Sequence, residues 1–258
     1  LAGESGTGNN CYIVSDNFVE TITPGTYADV SVGIRGAPIP FTADYGTREN
    51  ITINFNGSTL DGGLIYTNGL FFNNIFIQNL NILNSGGISF VHGGTNITFK
   101  SIDAINVSSV TIFGENVTID DLYIQNVSYG EWALGLGGSS YSIPYYYRVS
   151  NITIDGYTAY GNIIQLGGTI QDSYFRDITI LNAENYGSAF KATLDSGTGD
   201  TTTSNNVTFQ NWIVFNVSNA EGEFVCNGCF EGGFTIENLG TLENFIFENI
   251  TIINSSLA

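Results

Sequence analysis

The sequence predicts an all-β fold, a right-handed parallel β-helix of about eight or more coils with three strands per coil, and three observations lead there. A template bounded by asparagines recurs along the chain. Between those asparagines apolar residues alternate with period two, the signature of half-buried strands. The polarity comes from Asn, Thr, Ser and Gly rather than Lys and Glu, a composition that disfavours helices and suits strands joined by tight turns.

Taken in order, residues 1–49 form a β-rich segment that caps or docks on the solenoid, with strands starting at Tyr12, Val19 and Val30. Residues 50–258 form the solenoid, the whole being one domain. A partial copy starts at Asn50, and the stretch Asn74-Ile-Phe-Ile-Gln-Asn-Leu-Asn-Ile-Leu-Asn84 shows the template in full. Further copies occupy residues 96–106, 116–126, 151–161, 172–182, 206–216 and 244–254. Apolar residues fill template positions 2, 4, 7 and 9, and small or amide residues fill 1, 6 and usually 11. Two short strands around a bend cannot close a core alone, so copies 20 to 22 residues apart must stack. The turn asparagines then form a ladder, amide on amide. A third alternating segment follows position 11, at residues 87–93, 110–114, 132–137, 163–167 and 189–193, which gives three strands per coil. A β-sandwich is the competing architecture, but it does not predict the asparagine register. Wider intervals, from Asn116 to Asn151, Asp172 to Asn206 and Asn206 to Asn244, imply inserted loops, where function concentrates.

Charge narrows the partners. With 24 acidic and 6 basic residues the formal charge is −18, which repels nucleic acid and anionic lipid. No run of about 18 apolar residues offers a membrane span. The chain starts at Leu1 without a charged-then-apolar leader and has no methionine, which reads as a processed, mature, extracellular chain. Eleven Asn-x-Ser/Thr triplets, at Asn50, Asn56, Asn96, Asn106, Asn116, Asn126, Asn151, Asn206, Asn216, Asn249 and Asn254, are candidate N-glycosylation sites. The bland alternative is that an asparagine at a turn followed by strand residues produces the same triplet. Of three cysteines, Cys226 and Cys229 are the candidate local disulfide, ahead of a reduced pair, and Cys11 has no assigned role. A single histidine leaves zinc without ligands, so no metal and no cofactor is expected.

The runs Asn79-Leu-Asn-Ile-Leu-Asn-Ser85, Asn96-Ile-Thr-Phe99 and Gly187-Ser-Ala-Phe-Lys-Ala-Thr-Leu-Asp-Ser-Gly-Thr-Gly199, leading into Asn206-Val-Thr-Phe-Gln-Asn211, resemble the polygalacturonase family of pectin-cleaving glycoside hydrolases. The resemblance covers roughly residues 50 to 255 and is most specific from Ala189 to Asn211. It implies a right-handed, pectin-lyase-like parallel β-helix and a pectin-like polysaccharide partner. In that family the third strands of successive coils supply Asn-Thr-Asp, Asp-Asp, Gly-His-Gly and Arg-Ile-Lys. Here the corresponding places hold Ser109-Val110-Thr111, Gly130-Glu131-Trp132, Gly161-Asn162-Ile163 and Ala189-Phe190-Lys191. Glu131 is left as a candidate acid and Lys191 as a candidate contact to a substrate carboxylate. Inverting hydrolysis needs two carboxyl groups about 6.5 to 9.5 Å apart, and one cannot do both jobs. Asp120-Asp121 reads as a turn, His92 as a turn or surface histidine, and a lyase would lack an acidic Ca²⁺ cluster around Lys191 or Arg148.

Trp132, Tyr141, Tyr145, Tyr146, Tyr147 and Tyr157 concentrate around the insertion at residues 137–150. Trp132, Tyr145, Tyr146, Tyr147, Asn162 and Lys191 are the candidate sugar-binding residues; a loop folded back on the coil is the bland alternative. Neither end of the solenoid is covered by a predicted helix, so copies of the chain could stack end to end. The sequence therefore points to a secreted, non-catalytic β-helix that binds polysaccharide or assembles into a filament or sheath, with an active pectin-type hydrolase as the alternative.

Overall fold

A computed structural model describes residues 4–5, 10–13, 16–35, 48–68, 72–91, 94–128, 130–137, 144–159, 161–185, 189–194, 203–219, 234–238 and 241–255. His92, Tyr141, Cys226 and Cys229 lie outside them. Eight long segments, Arg48–Asp61, Phe72–Phe90, Thr95–Phe113, Asn116–Val127, Tyr146–Ala159, Gln171–Asn185, Thr203–Asn219 and Thr241–Ile253, each pair in parallel with the next. Each turns a corner partway and so supplies the first two faces of a coil. The third face stacks Asn10–Ile13, Val30–Arg35, Leu64–Asn68, the ends of Phe72–Phe90 and Thr95–Phe113, Trp132–Gly137, Asn162–Gly167, Phe190–Leu194 and Phe234–Asn238, again in parallel. The chain is a three-faced parallel β-helix. A sandwich of antiparallel sheets is excluded, since the one antiparallel contact among the described strands is Glu4–Ser5 with Asn10–Ile13.

The corners explain the asparagines. Asn, Asp and one Ser hold positive φ of 45° to 64° there, a conformation that short polar side chains tolerate better than others. Each rung also donates to the coil before it. Along one corner Asn50 Nδ2 reaches Asn17 Oδ1 at 2.9 Å, Asn74 reaches Asn50 at 3.0 Å, Asn96 reaches Asn74 at 3.1 Å and Asn116 reaches Asn96 at 2.8 Å. The Arg148 guanidinium extends this line by donating to Asn116 Oδ1 at 2.9 Å. Asn116→Ala removes both bonds, so a loss of about 1 kcal/mol is expected in urea unfolding.

Inside, like residues stack. Ile53, Ile77, Phe99, Ile119, Val149, Phe175, Phe209 and Phe247 form one continuous inward row across eight coils. All but Phe247 are buried; that ring, in the last coil described, is 46% exposed.

Two expectations need correction. The solenoid does not begin at residue 50: Val19–Thr21 and Thr26–Ala28 pair in parallel with Arg48–Asp61, and Val30–Arg35 with Leu64–Asn68, so Asn17 opens a coil of its own. That coil escaped notice because its template is sparse, with Glu20 level with Ile53 in the inward row. Asn151 is not a first-position rung either. Thr118 pairs with Arg148 and Asp120 with Ser150, which sets Asn151 level with Asp121, at the second corner. Asn151 Nδ2 accordingly donates to Asp120 Oδ1 at 2.8 Å. Both corners are an amide followed by a β-branched strand, so spacing alone could not separate them once a loop intervened.

Candidate functional site

The third face carries the residues that sequence singled out, in a register that differs from the expected one. Val110 lies beside Leu134, Leu134 beside Ile164, and Ile164 beside Phe190, all inward and buried. The triplets centred on Glu131 and Asn162 therefore sit three and two residues early. The true outward row is Ser89, Thr111, Gly135, Gln165 and Lys191. No carboxylate stands in it.

Trp132 and Asn162 are neighbours on adjacent coils, and Lys191 lies beside Gln165. The indole folds across the glycine of the row: a Cβ on Gly135 would stand 2.2 Å from Trp132 Nε1. That nitrogen donates to Thr111 Oγ1 at 2.8 Å, which fixes the ring. Asn162 Nδ2 donates to Gln165 Oε1 at 2.7 Å. One face thus joins a half-buried indole, two amides and the Lys191 ammonium. Glu131 is exposed beside Trp132. On the adjoining outward row, Phe113, Gly137 and Gly167, no carboxylate stands among the described side chains.

The tyrosine platform is not at the surface. Tyr145 and Tyr147 are 3% and 0% exposed and their rings stack in the core at 6.2 Å. Tyr157 is buried too, its hydroxyl donating to the Gly130 carbonyl at 3.2 Å, and burial raises its pKa. They point inward because Tyr145, Tyr147 and Val149 share the parity of the core row. Tyr146 faces out, on the first face and level with Asn116, away from Trp132. Of the sequence candidates, Trp132, Asn162 and Lys191 come together; Tyr145, Tyr146 and Tyr147 do not join them.

A second surface was missed. A groove of about 360 Å³ on the second face is lined by Asn56, Gly57, Asn79, Asn81, Ser101, Asp103 and Asp121. Asp121 turns the corner at φ 64°, accepting from Ser101 Oγ at 3.0 Å. Asp103 lies one coil below, paired with Tyr123. Burial, then the charge of Asp121, raise the Asp103 pKa. Asp120, on the first face, behaves oppositely: burial would raise its pKa, but hydrogen bonds from Asn151 and Ser150 and the nearby Lys100 ammonium bring it down. Because Asp103 is raised above its unfolded value, its ionised form opposes folding at neutral pH, and that penalty fades as pH falls through the folded pKa. Asp121→Asn is therefore expected to raise Tm slightly at pH above the folded pKa of Asp103 and not below it, the effect being small because solvent screens both groups. Asn tolerates the corner φ, so a fall in Tm at neutral pH would contradict this account. The parity of Asp103 was visible in sequence; its meeting with Asp121 depends on coil register and was not.

The sequon asparagines other than Asn56 donate Nδ2 into the ladder, for example Asn106 to Asn84, Asn126 to Asn106, Asn206 to Asp172, Asn216 to Asn182, Asn249 to Asn211 and Asn254 to Asn216, and all of them but Asn116 hold positive φ. Among the described residues no group of three or more His, Cys, Asp or Glu side chains could hold a metal.

No family model matches the chain, and no curated protein matches it. Among solved structures, the endo-xylogalacturonan hydrolase from Aspergillus tubingensis aligns over 94% of this chain and 85% of its own, at 12% identity and a TM-score of 0.36.

Proposed function

We propose that this β-helix is an extracellular, non-catalytic polysaccharide-binding protein that receives a pectin-like chain along its third face. The observation that carries this is the Trp132 ring, fixed over Gly135 by Thr111 and flanked by Asn162, Gln165 and Lys191. An aromatic face stacks on a sugar ring, amides bond its hydroxyls, and an ammonium suits an acidic unit. Among the described side chains of the outward rows on that face, no carboxylate stands beside Glu131 to complete a hydrolytic pair.

A second reading, a glycoside hydrolase, has one observation in its favour: two carboxylates, Asp103 and Asp121, share a groove, and the pKa of Asp103 is raised. Reducing-end release from polygalacturonate and rhamnogalacturonan, followed with direct binding in the same samples, separates the two. Binding without turnover, unchanged in Glu131→Gln, is expected. Turnover that Glu131→Gln abolishes would place catalysis on the third face, and turnover that Asp103→Asn abolishes would place it in the groove; either sinks the non-catalytic reading.

A further inference from the structure

We propose that Asn56 is a site of spontaneous deamidation, through attack by the Gly57 backbone nitrogen, that adds a carboxylate to the wall of the second-face groove. The proposal is independent of whether the third face binds polysaccharide.

A register break sets this asparagine apart. Asn54 pairs with Gln78 and Ser58 with Leu80, so three residues on one coil oppose Asn79 alone on the next. The ladder rung at this corner is supplied by Asn54, whose Oδ1 accepts from Asn79 Nδ2 at 2.9 Å. Asn56 is therefore surplus to the ladder. Its backbone nitrogen donates to Asn54 Oδ1 at 2.9 Å, and its exposed side-chain amide makes no hydrogen bond among the described residues. Gly57 follows at φ 74°, with nothing within 4 Å of where a Cβ would stand. It falls in the stretch between Asn54 and Ser58 that has no partner in the parallel register.

Rung asparagines differ on each of these counts. Asn96 donates Nδ2 to Asn74 and accepts at Oδ1 from Asn116; Asn106 donates to Asn84 and accepts from Asn126. The residues after them, Ile97 and Val107, are branched, buried and paired within the strands. A pinned amide, a branched neighbour and a hydrogen-bonded backbone nitrogen all oppose ring closure. At Asn56 the amide is unpinned among the described residues, the neighbour is glycine, and the backbone lies outside the paired register.

The chemistry needs only water. The Gly57 nitrogen bonds to Asn56 Cγ as the Cγ–Nδ2 bond breaks, and Nδ2 leaves as ammonia carrying the proton that Gly57 gave up. Water then opens the cyclic imide at either carbonyl, giving aspartate or isoaspartate. The product joins Asp103 and Asp121 as a third carboxylate lining the groove.

The test uses the full chain from a host without N-glycosylation, incubated in mildly alkaline heavy-oxygen water and mapped peptide by peptide, so that the Asn-Gly pairs at Asn68 and Asn227 are read separately. In the native protein Asn56 is expected to convert about tenfold or more faster than any ladder asparagine, equivalent to about 1.4 kcal/mol in the barrier. Asn56→Asp supplies the standard for the aspartate product, and Asn56→Gln should remove the reaction from that peptide. The same map in denaturant gives the rate without the fold. Native Asn56 reacting no faster than the rungs, or tenfold slower than in denaturant, would overturn the proposal, because the bulge would then protect the amide.

Discussion

Phe209→Ala is expected to cost about 4 kcal/mol in urea unfolding, the upper range for loss of a large buried side chain. Phe209 is 1% exposed and stands where the inward row is most aromatic. It stacks on Phe175 at 5.2 Å and on Phe247 at 4.9 Å, and meets Phe190 edge-on at 5.1 Å. Trp212 lies beside it at 6.0 Å, its indole nitrogen donating to the Phe175 carbonyl at 2.9 Å. Rings on successive coils are held at the strand spacing by backbone pairing, so the coils cannot close over a deleted ring. The cavity term therefore adds to the transfer term rather than relaxing away. Phe215→Ala is the control: it lies on the same long segment but faces outward and is 38% exposed, so a change of about 0.5 kcal/mol is expected. Equal losses in the two variants would mean that the inward row does not form the core.

The contrast between Phe209 and Phe215 shows what the sequence could convey. Phe209 follows Asn206 at template position 4 and its inward course is legible from parity; Phe215 falls at an outward position by the same count. The fold was readable because the backbone needs a residue tolerant of positive φ at each corner and an apolar residue at alternate strand positions, and both demands repeat every coil. Tyr145 and Tyr147 obeyed that parity as well. They were misplaced because their residue type suggested sugar stacking, while their alternation with Val149 had already set them in the core. Register was the harder quantity. The insertion between Gly137 and Tyr146 breaks the regular count, and an asparagine such as Asn151 fits two corners equally well. Everything that depends on neighbours across coils was lost with it: the setting of Glu131 ahead of the outward row, the meeting of Asp103 with Asp121, and the place of Gln165 between Gly135 and Lys191.

Trp132→Ala is expected to weaken polysaccharide binding about 30-fold, or about 2 kcal/mol, the scale of a well-held aromatic anchor. The ring costs little to order on binding because the Thr111 bond already fixes it. Its support offers a sharper test than deletion. A Cβ on Gly135 would stand 2.2 to 2.7 Å from three indole atoms, so Gly135→Ala must push the ring off the face while leaving every polar partner in place. If the indole is the anchor, Gly135→Ala should lose nearly as much affinity as Trp132→Ala. If Asn162, Gln165 and Lys191 supply the binding, Gly135→Ala should bind as the parent does. Thermal melts of both variants are needed beside the binding curves, since Gly135 is buried and the displaced ring must find room. Binding retained in both, with melts near the parent's, would remove the third face as the polysaccharide site. Attention would then pass to the groove of Asn81, Asp103 and Asp121, where the same titrations on Asp103→Asn would decide.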